Sequence, residues 1–407
     1  MISPGLNFFS LLLIILATYT VYKYLFFDGL NSHIFNYIFF YHLFFILAFF
    51  LFAKSNDTDS IKYFTDGQVY QSSSSLLNYG SNLIISISNF LIKYLKVDYL
   101  SLNLIFGSLS TLGLLFLANL IQKNMIGHNL IFFLLLMILF FPSLNFFTSS
   151  TGKDSLMFCF VCILVWCLDD YNNSKMPLIL ISILMMMLTR LYIAIPIFLI
   201  ISFFFPLIIE KKLSKIFYLS YYFLFFLLMI MGLYFLKDIL VKAGIISELG
   251  GLSPNPANFN FEYLNSRMSV QFESTSGANS NYKDLHKNYL YYYFQYAFGP
   301  FLLEGQNGIK YFLTKFESQI YSLIIFIIFL FTGMSYKNKS LLIKNIMFFI
   351  IFFSITIPLS LSISNFGISI RQRVILYPFI IYILVSNLKY FLNEKKFNFN
   401  FFKSDYS

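Results

Sequence analysis

Residues 177–209 read PLILISILMMMLTRLYIAIPIFLIISFFFPLII, and Arg190 is the one charged side chain among them. About 20 apolar residues cross a bilayer as a helix, so this stretch is too long for a single crossing. A guanidinium left in mid-bilayer is costly. Two shortened helices, 177–189 and 192–209, meeting at Thr189-Arg190-Leu191, bring that charge to the membrane surface. The alternative is one long tilted helix with a buried arginine.

The rest of the chain follows the same pattern. Hydrophobic residues make up 58% of it and charged residues 11%, with a mean hydropathy of +0.73. A soluble protein of this size has too little interior to hide so much apolar surface. The reading is an all-α, polytopic integral membrane helical protein, with one transmembrane domain over residues 1–407. About eleven transmembrane helices are expected, at 7–27, 34–53, 99–121, 129–147, 154–169, 177–189, 192–209, 216–236, 318–335, 343–363 and 374–391. The first apolar run starts near Leu6 without a basic segment before it or a small-residue cleavage site after it, so no cleavable signal peptide is expected.

Orientation comes from lysines in short loops. Lys123, the group Lys211, Lys212 and Lys215, the group Lys337, Lys339 and Lys344, and the group Lys395, Lys396 and Lys403 mark the cytoplasmic side. Two sizeable extracytoplasmic loops result, 54–98 and 237–315. The first holds Asp57, Asp59, Tyr63 and, at 82–97, a stretch with near-helical spacing that suits a helix lying in the interface. The second holds Pro254, Pro256 and the tyrosines Tyr289, Tyr291, Tyr292 and Tyr293. Long loops in compact proteins are functional or disordered. The net charge of +10 is read as cytoplasmic-side anchoring, with no nucleic-acid partner.

Arginine is the unusual choice in this chain. Four arginines, Arg190, Arg267, Arg371 and Arg373, stand among 28 basic residues in a sequence rich in Lys, Asn, Ile and Phe. The topology places all four on the extracytoplasmic side, against the usual bias of basic residues. A guanidinium offers an always-charged fork that grips phosphate or carboxylate at two points. An anionic substrate is the simplest reason for such a gathering. Lys153, in Ser149-Ser150-Thr151-Gly152-Lys153-Asp154, can meet the same anion, and Asp154 is placed to cap the next helix. Arg371 and Arg373 are two apart, so on a helix they point to different faces, and one of them is expected to face any cavity. The carboxylates for proton transfer are Glu304, which follows Phe301-Leu302-Leu303, and Asp59, with Tyr63 four residues on. Glu317 is expected to complement the dipole of its own helix.

Other chemistry finds little support. Cys159, Cys162 and Cys167 share one apolar segment and read as small buried hydrophobes. The chain has no GxGxxG, P-loop or HExxH, and its four histidines are scattered. Neither cofactor nor metal is expected.

The whole plan resembles the bacterial Wzy-type polymerases that join surface-polysaccharide repeat units. The resemblance is carried by about eleven spans, a large outer loop in the second half and outer-face arginines. Its sharper fragments are Thr151-Gly152-Lys153-Asp154, Arg190 between paired spans, Phe298-Gly299-Pro300 with Glu304 and Asn307, Glu317, and Arg371-Gln372-Arg373 leading to Pro378. A first outer loop with an Asp is shared with GT-C membrane glycosyltransferases, and Asp59 takes that place. The resemblance implies polymerisation of undecaprenyl-pyrophosphate-linked oligosaccharide at the outer face of the bacterial inner membrane. It implies Glu304 and Asp59 as catalytic groups, and Arg190, Arg267, Arg371, Arg373 and Lys153 as pyrophosphate ligands. The partners are the lipid-linked oligosaccharide, membrane lipid and a chain-length regulator. A GT-C transferase using a polyprenyl-phosphate sugar and a lipid-linked oligosaccharide flippase or transporter are the rival readings.

Overall fold

A computed structural model describes residues 4–26, 29–56, 58–70, 79–208, 221–222, 289–299, 309–334, 338–362 and 366–395. Every described element is a helix. In chain order they are α1 (Pro4–Leu25), α2 (Ser32–Ser55), α3 (Asp59–Val69), α4 (Ser81–Leu95), α5 (Tyr99–Asn124), α6 (Asn129–Leu139), α7 (Pro142–Thr148) and α8 (Lys153–Asp169). A short 3-10 turn at Asn173–Lys175 leads to α9 (Met176–Thr189) and α10 (Leu191–Ile208). Then come α11 (Tyr289–Phe298), α12 (Ile309–Met334), α13 (Lys339–Ser362), α14 (Phe366–Val374) and α15 (Tyr377–Lys395). The expected span at 216–236 lies outside the described residues except for Tyr221 and Tyr222.

Helix α8 is the centre of the bundle. It is buried along nearly its whole length and packs on α5 and α9. Gly113 of α5 lets the two backbones approach: a Cβ there would come within 3.0 Å of the Cα of Cys159. Cys159, Cys162 and Cys167 are free thiols inside this packing. Buried His42 of α2 is satisfied by Asn145 Oδ1 at 2.9 Å and Ser110 Oγ at 2.8 Å.

The outer faces are apolar. Phe40, Phe44 and Leu51 on α2, Phe133, Leu134 and Met137 on α6, and Leu323 and Phe326 on α12 are all exposed. Lipid tails are as apolar as these side chains, so such a surface belongs in a bilayer. This is a membrane helical protein. The described residues show fewer spans than the eleven expected. Among the described residues, four helices are long and apolar enough to cross: Ser32–Ser55, Tyr99–Asn124, Leu191–Ile208 and Lys339–Ser360. They become six if each of two bent pairs counts as one span.

The bends have local causes. The expected helix 129–147 breaks by 46° between α6 and α7. Pro142 lacks an N–H and pushes the residue before it out of the helical region, and Phe141 sits at φ −59°, ψ 125°. The pair α14–α15 bends by 48° just ahead of Tyr377-Pro378. Between α9 and α10 the helix stops at Thr189 and restarts at Leu191, with Arg190 at φ −144°, ψ 85°.

Both long loops contain helices. In 54–98, α3 and α4 form a hairpin. Gly67 allows their contact, since a Cβ there would lie 3.0 Å from the Cβ of Ser88. Tyr63 and Ile84 join Leu102, Phe106 and Leu156 in a small apolar cluster that fastens the hairpin to α5 and α8. The helix expected at 82–97 is present as α4. In 237–315, α11 and the start of α12 are helical, and apart from Gly299 the rest lies outside the described residues.

Candidate functional site

Four of the sequence-selected residues, Asp59, Lys153, Arg190 and Arg371, gather around Asp154, at α3, the start of α8, the α9–α10 break and α14. Asp154 is the hub, in the first turn of α8, with only 1% of its side chain exposed. One carboxylate oxygen pairs with Nη2 of Arg190 and the other with Nε of Arg371. Nη1 of Arg371 reaches Oδ2 of Asp59 at 3.1 Å. The result is a chain of alternating charge: Arg190, Asp154, Arg371, Asp59.

Local sequence explains each placement. Arg190 falls in the break between two apolar helices, which aims its side chain at the start of the neighbouring helix α8. Nη1 of Arg190 also donates to the Tyr192 hydroxyl at 3.3 Å. Gly80 adopts a left-handed φ of 62° and donates its N–H to the Leu188 carbonyl at 2.8 Å, which ties the start of α4 to the end of α9. That tie sets Ser81 where Lys153 Nζ donates to its Oγ at 3.0 Å. On α3, Asp59, Tyr63 and Gly67 repeat every four residues and share one face. Burial of Tyr63 and Gly67 therefore fixes the side on which Asp59 stands. Burial pushes the Tyr63 phenol up, a hydrogen bond with Ser81 partly offsets this, and the Asp59 charge adds to the rise. Tyr63 is thus a neutral hydrogen-bonding group at neutral pH, not a base.

Exposure separates the four charges. Arg190 is 7% exposed and Asp154 1%, whereas Arg371 is 27% and Asp59 55% exposed. The inner pair is locked in protein and the outer pair faces outward. With Lys153, three cations face two carboxylates.

Arg373 is elsewhere. It is 1% exposed, and Nη1 donates to the carbonyls of Gly299 at 2.7 Å and Ala297 at 3.3 Å. Nη2 donates to Ser318 Oγ at 3.0 Å, and the guanidinium lies 5.2 Å from the centre of the Tyr321 ring. Its partners are the carbonyl end of α11 and the side of α12, so it ties the end of the large loop to α14. Arg267 and Glu304 lie outside the described residues. Glu317 does not serve its own helix, which begins two turns earlier at Ile309. Its carboxylate accepts from the Ser143 N–H at 3.2 and 3.3 Å and so caps α7.

Sequence reading missed the role of Asp154. Its position in a first turn suggested a cap, but its oxygens go to arginines 36 and 217 residues away. A carboxylate opening an otherwise apolar span, in a chain with so few arginines, was the available signal. No family model, curated protein or solved structure matches this chain.

Proposed function

We propose that this protein is a membrane glycosyltransferase that polymerises oligosaccharide repeat units carried on undecaprenyl pyrophosphate, acting at the outer face of the bacterial inner membrane. The observation that carries this reading is the convergence of Arg190 and Arg371 on buried Asp154, with Arg371 reaching out to exposed Asp59. Arginine is rare in this chain, and two of four meet at one point.

The chemistry fits the residues. The bond from the donor sugar C1 to the pyrophosphate oxygen breaks, and a bond from C1 to the acceptor hydroxyl oxygen forms. The hydroxyl proton passes to a carboxylate. Charge grows on the departing pyrophosphate, so cations placed there stabilise the transition state more than the ground state. Arg371 and Lys153 supply those cations. Asp154 keeps the Arg371 guanidinium oriented, with Arg190 as its counterweight. Asp59 is the carboxylate beside the cations and takes the proton. Lipid-linked oligosaccharide is the substrate, and a chain-length regulator is the protein partner that such a polymerase would take.

A GT-C-type transfer from a polyprenyl monophosphate sugar is the second reading. It is favoured by the position of Asp59 at the start of the first long loop, touching Arg371.

Deletion of the gene tests the proposal. Surface glycan should persist as a single repeat unit on its acceptor, with the ladder above it lost. Complete absence of the single-unit band would remove the polymerase reading and leave transport or an earlier transfer step.

A further inference from the structure

We infer that Asp59 sits on Arg371 in the seat of a phosphate, as an internal stand-in that the phosphorylated ligand displaces. The inference rests on the reading of this site as one for a lipid-linked phosphate or pyrophosphate.

The two carboxylates on Arg371 are not equivalent. Asp154 is almost wholly buried and is shared with Arg190, so its removal would strand two cations. Asp59 is more than half exposed and makes a single contact to Nη1 at 3.1 Å. It stands on α3, in a hairpin fastened through the Tyr63 cluster rather than through Asp59 itself. A guanidinium has two hydrogen-bonding edges. The Nε of Arg371 is committed inward to Asp154, and Nη1 points outward to Asp59. A second anion therefore arrives at Nη1. Lys153, the neighbour of Asp154, lies within electrostatic reach of both Asp59 and Arg371. A phosphate offers more charge and more acceptor oxygens than a carboxylate, so it competes well for a fork of this kind.

Arrival of the donor phosphate would then leave the Asp59 carboxylate free of Arg371, and an empty site would keep the two engaged.

The test uses the full-length protein in detergent with inorganic pyrophosphate as the probe, its binding measured by calorimetric titration. Removing the exposed competitor with Asp59→Asn or Asp59→Ala should tighten pyrophosphate binding by about fivefold, the scale set by an exposed ion pair. Asp66→Asn removes the same charge from an exposed position on the same helix and should leave binding unchanged. Adding Arg371→Lys to Asp59→Asn should abolish the gain. Equal or weaker binding in both Asp59 variants would overturn the inference, as would no binding in any form. An equal gain in Asp66→Asn would assign the effect to net charge and overturn it too. The glycan ladder separates this result from the function itself. Tighter binding in Asp59→Asn, beside a gene deletion that leaves the glycan ladder intact, keeps the seat and loses the polymerase. A ladder that depends on Arg371, with binding unchanged in the Asp59 variants, does the reverse.

Discussion

Helix α8 carries an aspartate at each end, roughly 22 Å apart at 1.5 Å per residue, and the two ends have opposite chemistry. At its start, Asp154 is buried and held by two arginines. At its end, Asp169 and Asp170 meet lysines. Lys123 Nζ lies 2.9 Å from Asp170 and 3.9 Å from Asp169, with side chains 45% and 66% exposed for the closer pair. Lys344 Nζ donates to the Asp169 carbonyl at 2.9 Å, and Lys389 Nζ donates to Asn124 Oδ1 at 2.9 Å. Lysines from three separate stretches gather at this end, and two of them, Lys344 and Lys389, line a cavity of about 280 Å³. A lysine is a strongly hydrated point charge on a long stem, suited to a wet surface. An arginine is less strongly hydrated and holds a fixed geometry when buried. At the two ends of α8, the exposed pair uses lysine, where water does the solvating, and the buried pair uses arginine, where protein must.

The comparison breaks most readily at Asp154. Asp154→Ala leaves two arginines without their shared counter-ion and should cost about 3–5 kcal/mol, the range for breaking a buried pair. Membrane protein level and thermal melting in detergent would report it. Asp169→Ala at the other end should lower the melting temperature far less. Similar losses at the two ends would erase the distinction between them.

Arg373 gives the next largest effect and sharpens the contrast between two kinds of buried arginine. Arg373→Ala leaves the Gly299 and Ala297 carbonyls short of a donor and should cost about 2–3 kcal/mol. Carbonyls accept from an ammonium as well, so Arg373→Lys should recover much of the stability and retain activity. Arg190→Lys should behave otherwise. It keeps its charge yet should lose activity by about tenfold or more, which is ~1.4 kcal/mol of transition-state stabilisation. Full activity at normal protein level would reduce Arg190 to a structural anchor.

The smallest effect is expected at the lysine end. Lys123→Ala should cost less than about 1 kcal/mol, and the difference should fade in ~1 M salt. The hydrogen bond from Lys123, followed by its charge, holds the Asp170 carboxyl below the usual carboxylate range. A depressed carboxylate contributes stability above its unfolded pKa and loses it as pH falls through the folded one. The Lys123 contribution should therefore be present at neutral pH and disappear below about pH 4. Melting curves of wild type and Lys123→Ala across that range should converge on acidification.

Much of the bundle was legible because its signal is composition. Helices α2, α5, α8 and α13 are long apolar runs, and the α9–α10 break followed from one charge in the wrong place. Other elements carry no such signal. Helix α3 mixes polar and apolar residues evenly, so it read as loop. Pro142 lies inside an apolar run that reads as the single helix 129–147, so its bend is not expected from the pattern. Helix α14, which aims Arg371 at Asp154 and Arg373 at α11, falls between the expected spans 343–363 and 374–391 and is too polar to show as one. At the site, the rarity of arginine and the opposite faces of Arg371 and Arg373 were readable. The hub was not, because Asp154 and Arg371 are 217 residues apart and pair only through tertiary packing.

The central claim is that the arginine end of α8 does the chemistry and the lysine end does not. The direct measurement is the surface glycan ladder of a deletion strain complemented with Arg371→Lys or, separately, with Lys344→Arg, each matched for protein level. The account predicts a band at one repeat unit and a missing ladder for Arg371→Lys, and a full ladder for Lys344→Arg. A full ladder with Arg371→Lys, or its loss with Lys344→Arg alone, would contradict it.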